Sequence, residues 1–227
     1  MTNLPGASES APASGRVALL WRRLCARLAP APIDTADRLR TFLEERAALI
    51  AQKCAIDYCR GKTGLASYAL FTEQTFLKAL DICRWETFVT VLGDLFILAE
   101  GQLRGQVAAD RHPALCSRLE SLYAAVLASM PAPAHRPQGW DDAFAAFGER
   151  FRAASRAEPK EARDVADHSA RRLFDTLPIH ASMRELDEEV VFGAVRFRMI
   201  AVSQEMRRRL SAPELVRQLL SESASRG

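Results

Sequence analysis

The sequence predicts an all-α protein, a compact bundle of about eight helices. Apolar residues recur at helical spacing through most of the 227-residue chain. Convincing alternation of apolar and polar residues, which is typical of strands, is not found. The composition, 48% hydrophobic and 26% charged, is that of a globular protein with a sizeable core.

The helical segments are separated by proline-rich or glycine-containing stretches. Residues 1–15, rich in Ser, Ala, Pro and Gly, are predicted to form a disordered tail, and a basic amphipathic helix follows over 16–29. A single helical domain is predicted over 34–222, with a possible division at the proline-rich linker 131–139. Its helices are predicted over 34–60, 71–104, 112–130, 140–155, 159–177, 183–210 and 212–222.

Two of these helices carry specific expectations. The first begins at the candidate N-caps Asp34 and Thr35. The 183–210 helix is apolar around most of its circumference, and Gly193 and Ala194 would allow a neighbour to approach closely. We therefore expect it to be the central helix of the bundle.

The residues Gly61-Lys62-Thr63 match the last three positions of a phosphate-binding loop, GxxxxGK[ST]. The loop requires a glycine five positions earlier, where this chain has Ile56, and it requires a preceding strand, where this chain has a helical pattern. The motif is therefore predicted to be a helix end, with Gly61 as the left-handed residue after the last turn and Thr72 capping the next helix.

Charged residues on the apolar face of the first domain helix provide the candidate ligand site. Side chains in such positions must form ion pairs, reach water or bind a ligand. The pattern predicts either a salt-bridged network between helices or a polar pocket for an anionic small molecule. The candidate residues are Arg46, Lys53, Asp57, Tyr58, Arg60 and Arg84.

Catalytic and metal-binding patterns are weak. Glu86, Thr90 and Asp94 follow one another at steps of four and predict a narrow solvated stripe. Asp164 and His168 predict a surface pair, and the five cysteines, without a CxxC pair, predict buried reduced thiols. We expect no catalytic residue, no metal and no cofactor, which favours a protein that is not an enzyme.

Charge is concentrated at the N-terminus. Residues 1–33 carry four arginines and one glutamate, whereas the remaining 27 basic and 27 acidic residues balance. Because nucleic-acid binding needs a basic face, a neutral body argues against it. In the 16–29 helix the apolar side chains share a face flanked by arginines, and both sets are candidate contacts with a protein partner or an anionic membrane: Val17, Leu20, Trp21, Leu24, Leu28, Arg22, Arg23 and Arg27.

These patterns predict a cytoplasmic helical interaction or regulatory protein that binds a protein partner, or itself, through exposed apolar helix faces. The first alternative is a small-molecule-binding or enzymatic bundle with a pocket near Arg46, Lys53, Asp57 and Arg84. The second is peripheral attachment to the inner membrane face through residues 16–28. A membrane-spanning helix is not expected, because the longest apolar stretch is broken by Asp94 and Glu100.

Overall fold

The computed structural model describes residues 31–224, with side chains up to residue 221. The described chain is all-α, as the sequence predicts. Among its helices, none combines the length and the apolar character needed to cross a membrane. The predicted tail 1–15 and helix 16–29 lie outside the described residues, together with every candidate contact residue from Val17 to Leu28.

Seven helices of at least 13 residues build the described part of the chain, and each corresponds to a helix predicted in the domain. Two single-turn helices, Ser67–Leu70 and Ala181–Arg184, occur in the connections. The seven are α1 (Ala36–Thr63), α2 (Gln74–Leu103), α3 (His112–Ser129), α4 (Asp141–Arg156), α5 (Ala162–Thr176), α6 (Glu188–Arg209) and α7 (Ala212–Ala224).

Helix α1 begins where predicted but ends later. The hydroxyl of Thr35 accepts a hydrogen bond from the Arg38 amide at 3.3 Å, which caps the first turn. The prediction of Gly61 as the helix end was wrong, because the helix continues to Thr63. Gly64, with φ of +51°, ends it and donates its amide hydrogen to the Arg60 carbonyl.

The start of α2 also differs from the prediction. Glu73, rather than Thr72, occupies the position before the first helical residue. The Thr72 hydroxyl donates to the carbonyl oxygen of Ala69 at 2.7 Å and so bonds back to the preceding short helix. A threonine that bonds backwards in this way is unavailable as a cap for the helix that follows.

The central helix is α2, and the prediction for 183–210 was wrong. Between Glu86 and Glu100 all but one residue of α2 is buried, because α1, α4, α5 and other helices pack on different sides of it. Helix α6 begins only at Glu188 and buries one side, through residues such as Val195 and Met199. Its apolar residues at Val190 and Phe197 face outward.

One hydrophobic core includes residues from both sides of the 131–139 segment. At its centre the rings of Phe96 and Tyr123 meet edge to face at 5.7 Å, and Tyr123 stacks on Phe147 of α4 at 3.8 Å. Gly93 allows this approach: a Cβ at that position would lie 3.0 Å from the Phe147 ring. Because Gly93 has no side chain, α4 can pack close to α2.

Candidate functional site

The six candidate ligand residues from the sequence do not line one cavity in the described structure. Arg46 forms a two-pronged ion pair with Glu205 of α6, with N–O distances of 2.9 and 2.7 Å. Asp57 lies 3.3 Å from Lys53 and accepts a hydrogen bond from Arg198 at 2.9 Å. These three candidates therefore participate in ion pairs, two of which join α1 to α6.

The other three candidates are dispersed. The Tyr58 hydroxyl donates to Asp187 at 2.8 Å, and Arg60 stacks over the Phe71 ring at 5.4 Å. Arg84 donates to the Gln52 side chain at 3.0 Å. Arg84 lines a cavity of about 350 Å³ with an apolar wall that includes Trp85 and Phe88, and none of the other five candidates lines it. The salt-bridged network is thus the alternative that the described geometry matches.

The carboxylates of α2 occupy unexpected positions. Glu86, Asp94 and Glu100 are all buried, although the sequence predicts that Glu86 and Asp94 lie on a solvated face. That prediction was wrong because helices cover α2 on both sides of the stripe. A buried carboxylate needs a cation or several hydrogen-bond donors, and each of these three carboxylates has such partners.

Glu86 is held by two arginines and a histidine. Arg136 donates to both carboxylate oxygens, Arg172 of α5 donates to Oε2, and His135 Nε2 lies 3.0 Å from Oε1. Burial alone would raise the Glu86 pKa, but the hydrogen bonds from Arg136, Arg172 and His135 outweigh it and lower the pKa to about 2. Glu86 is therefore ionised at neutral pH.

Asp94 is fully buried two turns further along α2. Arg150 of α4 donates to Oδ1 at 2.5 Å, and the Ser169 amide of α5 donates to Oδ2 at 3.2 Å. Here burial is the larger effect, and it raises the Asp94 pKa to about 6 even though Arg150 opposes it. The pKa values of the two carboxylates are therefore shifted in opposite directions.

A cleft of about 230 Å³ lies beside these carboxylates. Its charged walls come from α2, from the 131–139 segment and from α4 and α5, and Tyr123, Phe147 and Gly93 form an apolar part. The polar residues that line it are Glu86, Thr90, Arg136, Asp142, Arg150, His168 and Arg172.

His168 lines this cleft together with Arg150 and Arg172. Burial and the charges of Arg150 and Arg172 lower its pKa to about 4, so the imidazole is neutral at pH 7. Its Nδ1 lies 3.8 Å from Asp94 Oδ1, beyond hydrogen-bond distance. The predicted surface pair with Asp164 is not formed, since Asp164 instead contacts Arg163 at 3.4 Å.

The third carboxylate, Glu100, belongs to a separate cluster. Its oxygens accept hydrogen bonds from Arg104 at 2.8 Å each, and His112 Nε2 lies 2.6 Å from Oε1 and 3.4 Å from the Cys116 thiol. Although Glu100, His112 and Cys116 are metal-ligand types, Arg104 already balances the carboxylate charge. Burial, reinforced by the charge of Glu100, raises the pKa of Cys116 to about 11, so the thiol stays protonated. The geometry is that of a buried ion pair.

No protein-family model, curated protein or solved structure matches this chain. Its function has to be inferred from the chemistry of its own residues, and the cleft offers most of that chemistry. His168, whose pKa is displaced, lines it together with three arginines, and one of these, Arg150, contacts the buried Asp94, whose pKa is also displaced. Such groups in a cleft are typical of functional sites.

Sequence reasoning missed Glu86, Asp94, Arg150, His168 and Arg172 as a group. One signal was available: between residues 87 and 99, Asp94 is the only charged residue. A helix that is apolar on all sides must be covered on all sides, and a charge within it must be buried and paired. The partners could not be found in this way, because they lie 56 and 86 positions away from the carboxylates they contact.

Proposed function

We propose that this protein binds a small organic anion, carrying a carboxylate or phosphate group, in the cleft beside Glu86 and Asp94. The observation that carries the proposal is the pair Arg150 and Arg172. Both line the cleft, and the charges of both act on His168, a neutral imidazole that also lines it. An anion placed there would contact two guanidinium groups and one imidazole.

The two arginines retain unused donors. Among the described residues, Arg150 donates only through Nη2, to Asp94, and Arg172 donates only through Nη2, to Glu86. By contrast, Arg136 uses Nε, Nη1 and Nη2 on Glu86 and Asp142. A guanidinium has five N–H groups, so Arg150 and Arg172 can bind an anion without releasing the buried carboxylates.

The size of the cleft restricts the ligand. A volume of about 230 Å³ corresponds to roughly seven or eight water molecules at about 30 Å³ each. A mono- or dicarboxylate or a small phosphate ester matches a space of this size. The stacked rings of Tyr123 and Phe147 give the ligand's carbon skeleton an apolar contact.

Binding should also take up a proton. The negative charge of an anion bound to the remaining N–H groups of Arg150 raises the pKa of Asp94, the carboxylate that Arg150 contacts. Because the Asp94 pKa of about 6 lies just below neutrality, a further rise leads to protonation on binding. The affinity for an anion is therefore expected to be higher at pH 6 than at pH 8.

Isothermal titration calorimetry with inorganic phosphate, acetate, succinate and citrate, at constant ionic strength, tests the proposal. The phosphate and carboxylate arms separate the two ligand chemistries. Arg172→Gln should weaken binding by about 10- to 100-fold, as expected for loss of one charge-assisted contact, while Glu86 keeps Arg136 as its partner. The matched control is Arg163→Gln, an exposed arginine of the same helix that lies outside the cleft.

Two results would contradict the proposal. One is equal affinity of Arg172→Gln and the unaltered protein for every anion that binds. The other is the absence of any heat or thermal stabilisation with all four probes at millimolar concentration. Measurement in buffers of different ionisation enthalpy then shows whether a proton is taken up.

A further inference from the structure

The cluster at Glu100 brings together three side chains of metal-ligand type. Glu100 lies in the last turn of α2, and His112 is the first residue of α3. Cys116 follows His112 by four residues and therefore lies on the same face of α3, one turn further along. Because the connection 104–111 is short, this face returns to the end of α2, and the three ligand atoms lie within 4.8 Å of one another.

The contacts of His112 show that these groups converge on one point. Its Nε2 lies 2.6 Å from Glu100 Oε1 and 3.4 Å from Cys116 Sγ. In a catalytic arrangement of nucleophile, histidine and acid, the nucleophile and the acid contact opposite nitrogens of the ring. Here both contact the same nitrogen, so the arrangement is not that of an activated nucleophile. It is that of three ligands around a shared centre.

The distances suit a zinc ion. Zinc binds cysteine sulfur at about 2.3 Å and nitrogen or oxygen at about 2.0–2.2 Å, so two ligands of a tetrahedral zinc lie roughly 3.3–3.7 Å apart. The distance of 3.4 Å between Cys116 and His112 agrees with this range. The distance of 2.6 Å between His112 and Glu100 is that of a hydrogen bond, and zinc in place of the bridging proton requires a separation of less than about 1 Å. The side chain of His112 is partly exposed, so this movement does not disturb the core.

Arg104 is compatible with a metal ion at this position. It donates to both oxygens of Glu100, which leaves acceptor sites free, because an ionised carboxylate has about four of them. Carboxylates that bind metals are themselves commonly hydrogen-bonded by a neighbouring group. The charge of Arg104 balances that of Glu100 only. Once Cys116 is ionised, the cluster carries a second negative charge, and a divalent cation balances it.

We propose that Glu100, His112 and Cys116 form a binding site for Zn²⁺. A thiolate and an imidazole favour zinc over Mg²⁺ and Ca²⁺, which prefer oxygen ligands. On binding, a Zn–S bond replaces the S–H bond of Cys116, and the thiol proton passes to solvent. Three protein ligands leave the fourth tetrahedral position to water, which reaches the cluster because His112 and Cys116 are only half-buried.

This site departs from the expectation of no metal that follows from the sequence. The cysteines form no CxxC pair, and the ligands are instead a cysteine, a histidine four residues earlier and a carboxylate of the preceding helix. Two ligands on one helix are an incomplete set, and only the fold adds Glu100 to them.

Isothermal titration calorimetry of the full chain with ZnCl₂, without an affinity tag, tests the proposal. One zinc ion should bind per chain, with a dissociation constant below about 1 μM. Cys116→Ser and His112→Gln should each raise that constant by more than about 100-fold, because loss of a ligand costs more than loss of an outer hydrogen-bonding partner. Circular dichroism confirms that each variant is folded.

The matched controls replace a cysteine and a histidine outside the cluster. Cys25→Ser changes a residue that precedes the described part of the chain, and His180→Gln changes an exposed residue before a single-turn helix. Both variants should bind zinc as the unaltered protein does.

Cobalt(II) identifies the sulfur ligand directly. A bond between Co²⁺ and a thiolate gives a charge-transfer absorption in the near ultraviolet. Titration with CoCl₂ should therefore produce this band in the unaltered protein and in Cys25→Ser, and not in Cys116→Ser. Serine preserves the shape of the cysteine side chain, so loss of the band reports the ligand rather than the fold.

Three outcomes overturn the proposal. The first is no binding of either metal ion at about 100 μM, which corresponds to a weaker interaction than three ligands provide. The second is unchanged zinc affinity in Cys116→Ser or in His112→Gln. The third is a cobalt band that Cys25→Ser removes and Cys116→Ser retains, which assigns the metal to the N-terminal segment. The titrations contain no phosphate or carboxylate, so zinc binding and anion binding in the cleft can each fail without the other.

Discussion

Arg150 Nη2 lies 2.5 Å from Asp94 Oδ1, and the carboxylate that it contacts is fully buried. The second oxygen of Asp94 accepts the backbone amide of Ser169, so one carboxylate connects α2 to α4 and to α5. The burial that isolates this carboxylate from water also raises its pKa to about 6. Stability and protonation are therefore coupled at Asp94.

The pH dependence of stability should change in Asp94→Asn. A folded-state pKa of about 6, above the ordinary value near 4, means that the folded protein binds this proton more tightly than the unfolded chain. The contribution is present below about pH 4 and is lost as pH rises through 6, with a total of at most roughly 3 kcal/mol. Between pH 4 and 7, the free energy of unfolding measured with urea should show this loss in the unaltered protein and not in Asp94→Asn. Parallel curves for the two proteins would contradict the assignment.

Glu86→Gln should destabilise the protein strongly at pH 7. The change leaves Arg136 and Arg172 without their shared anion, and breaking a buried ion pair by removing one partner costs about 3–5 kcal/mol. Since its pKa is lowered to about 2, Glu86 stabilises the fold above about pH 4.5, and this contribution is lost as pH falls towards 2. The difference between variant and parent should therefore shrink in acid.

The control for this measurement is Glu189→Gln on α6. Its side chain is largely exposed and lies 3.3 Å from Arg196, so the loss should be below about 1 kcal/mol. A similar loss for both glutamates at pH 7 would show that the burial of Glu86 has no energetic consequence. Urea midpoints at pH 7 and pH 3 provide the comparison.

Replacement of Gly61 and of Gly64 by alanine should change the stability of the protein in opposite directions. Gly61 lies inside α1 with open space around it, so Gly61→Ala should stabilise the protein by about 0.5–1 kcal/mol. Gly64 has a positive φ that alanine adopts at a cost, so Gly64→Ala should destabilise it by about 1 kcal/mol or more. Thermal unfolding of both variants measures these changes. A loss of stability in Gly61→Ala together with a gain in Gly64→Ala would place the helix end at Gly61.

The sequence predicted the helices better than their positions in the bundle. Periodicity is a local property, so α1 to α7 could be recognised from residue spacing, and Thr35 from its place before an apolar pattern. Which helix is central depends on which faces meet, and this is a property of the whole chain. Apolar residues around 183–210 suggested a core helix, yet Val190 and Phe197 are exposed.

The candidate site was harder to predict for a related reason. The sequence predicts a candidate site at Arg46, Lys53 and Asp57, because they share a face with apolar residues. In the fold these residues form ion pairs. Glu86 and Asp94 looked ordinary because their spacing is that of a solvated stripe. Their burial depends on α4 and α5, whose arginines arrive from distant positions in the chain. Helix periodicity alone therefore cannot distinguish a solvated stripe from a buried one.

Removal of residues 1–30 tests the predicted membrane contact of the N-terminal segment. The deletion should stop before Ile33, because Ile33 is fully buried and its amide donates to the Arg209 carbonyl at 2.8 Å. Sedimentation with vesicles containing anionic lipid at low salt should recover the full chain and not the shortened one, since arginines beside an apolar face favour an anionic surface. Neutral vesicles are the control for charge. Failure of the full chain to sediment with anionic vesicles excludes the contact, and equal sedimentation of both chains assigns it to residues after 30.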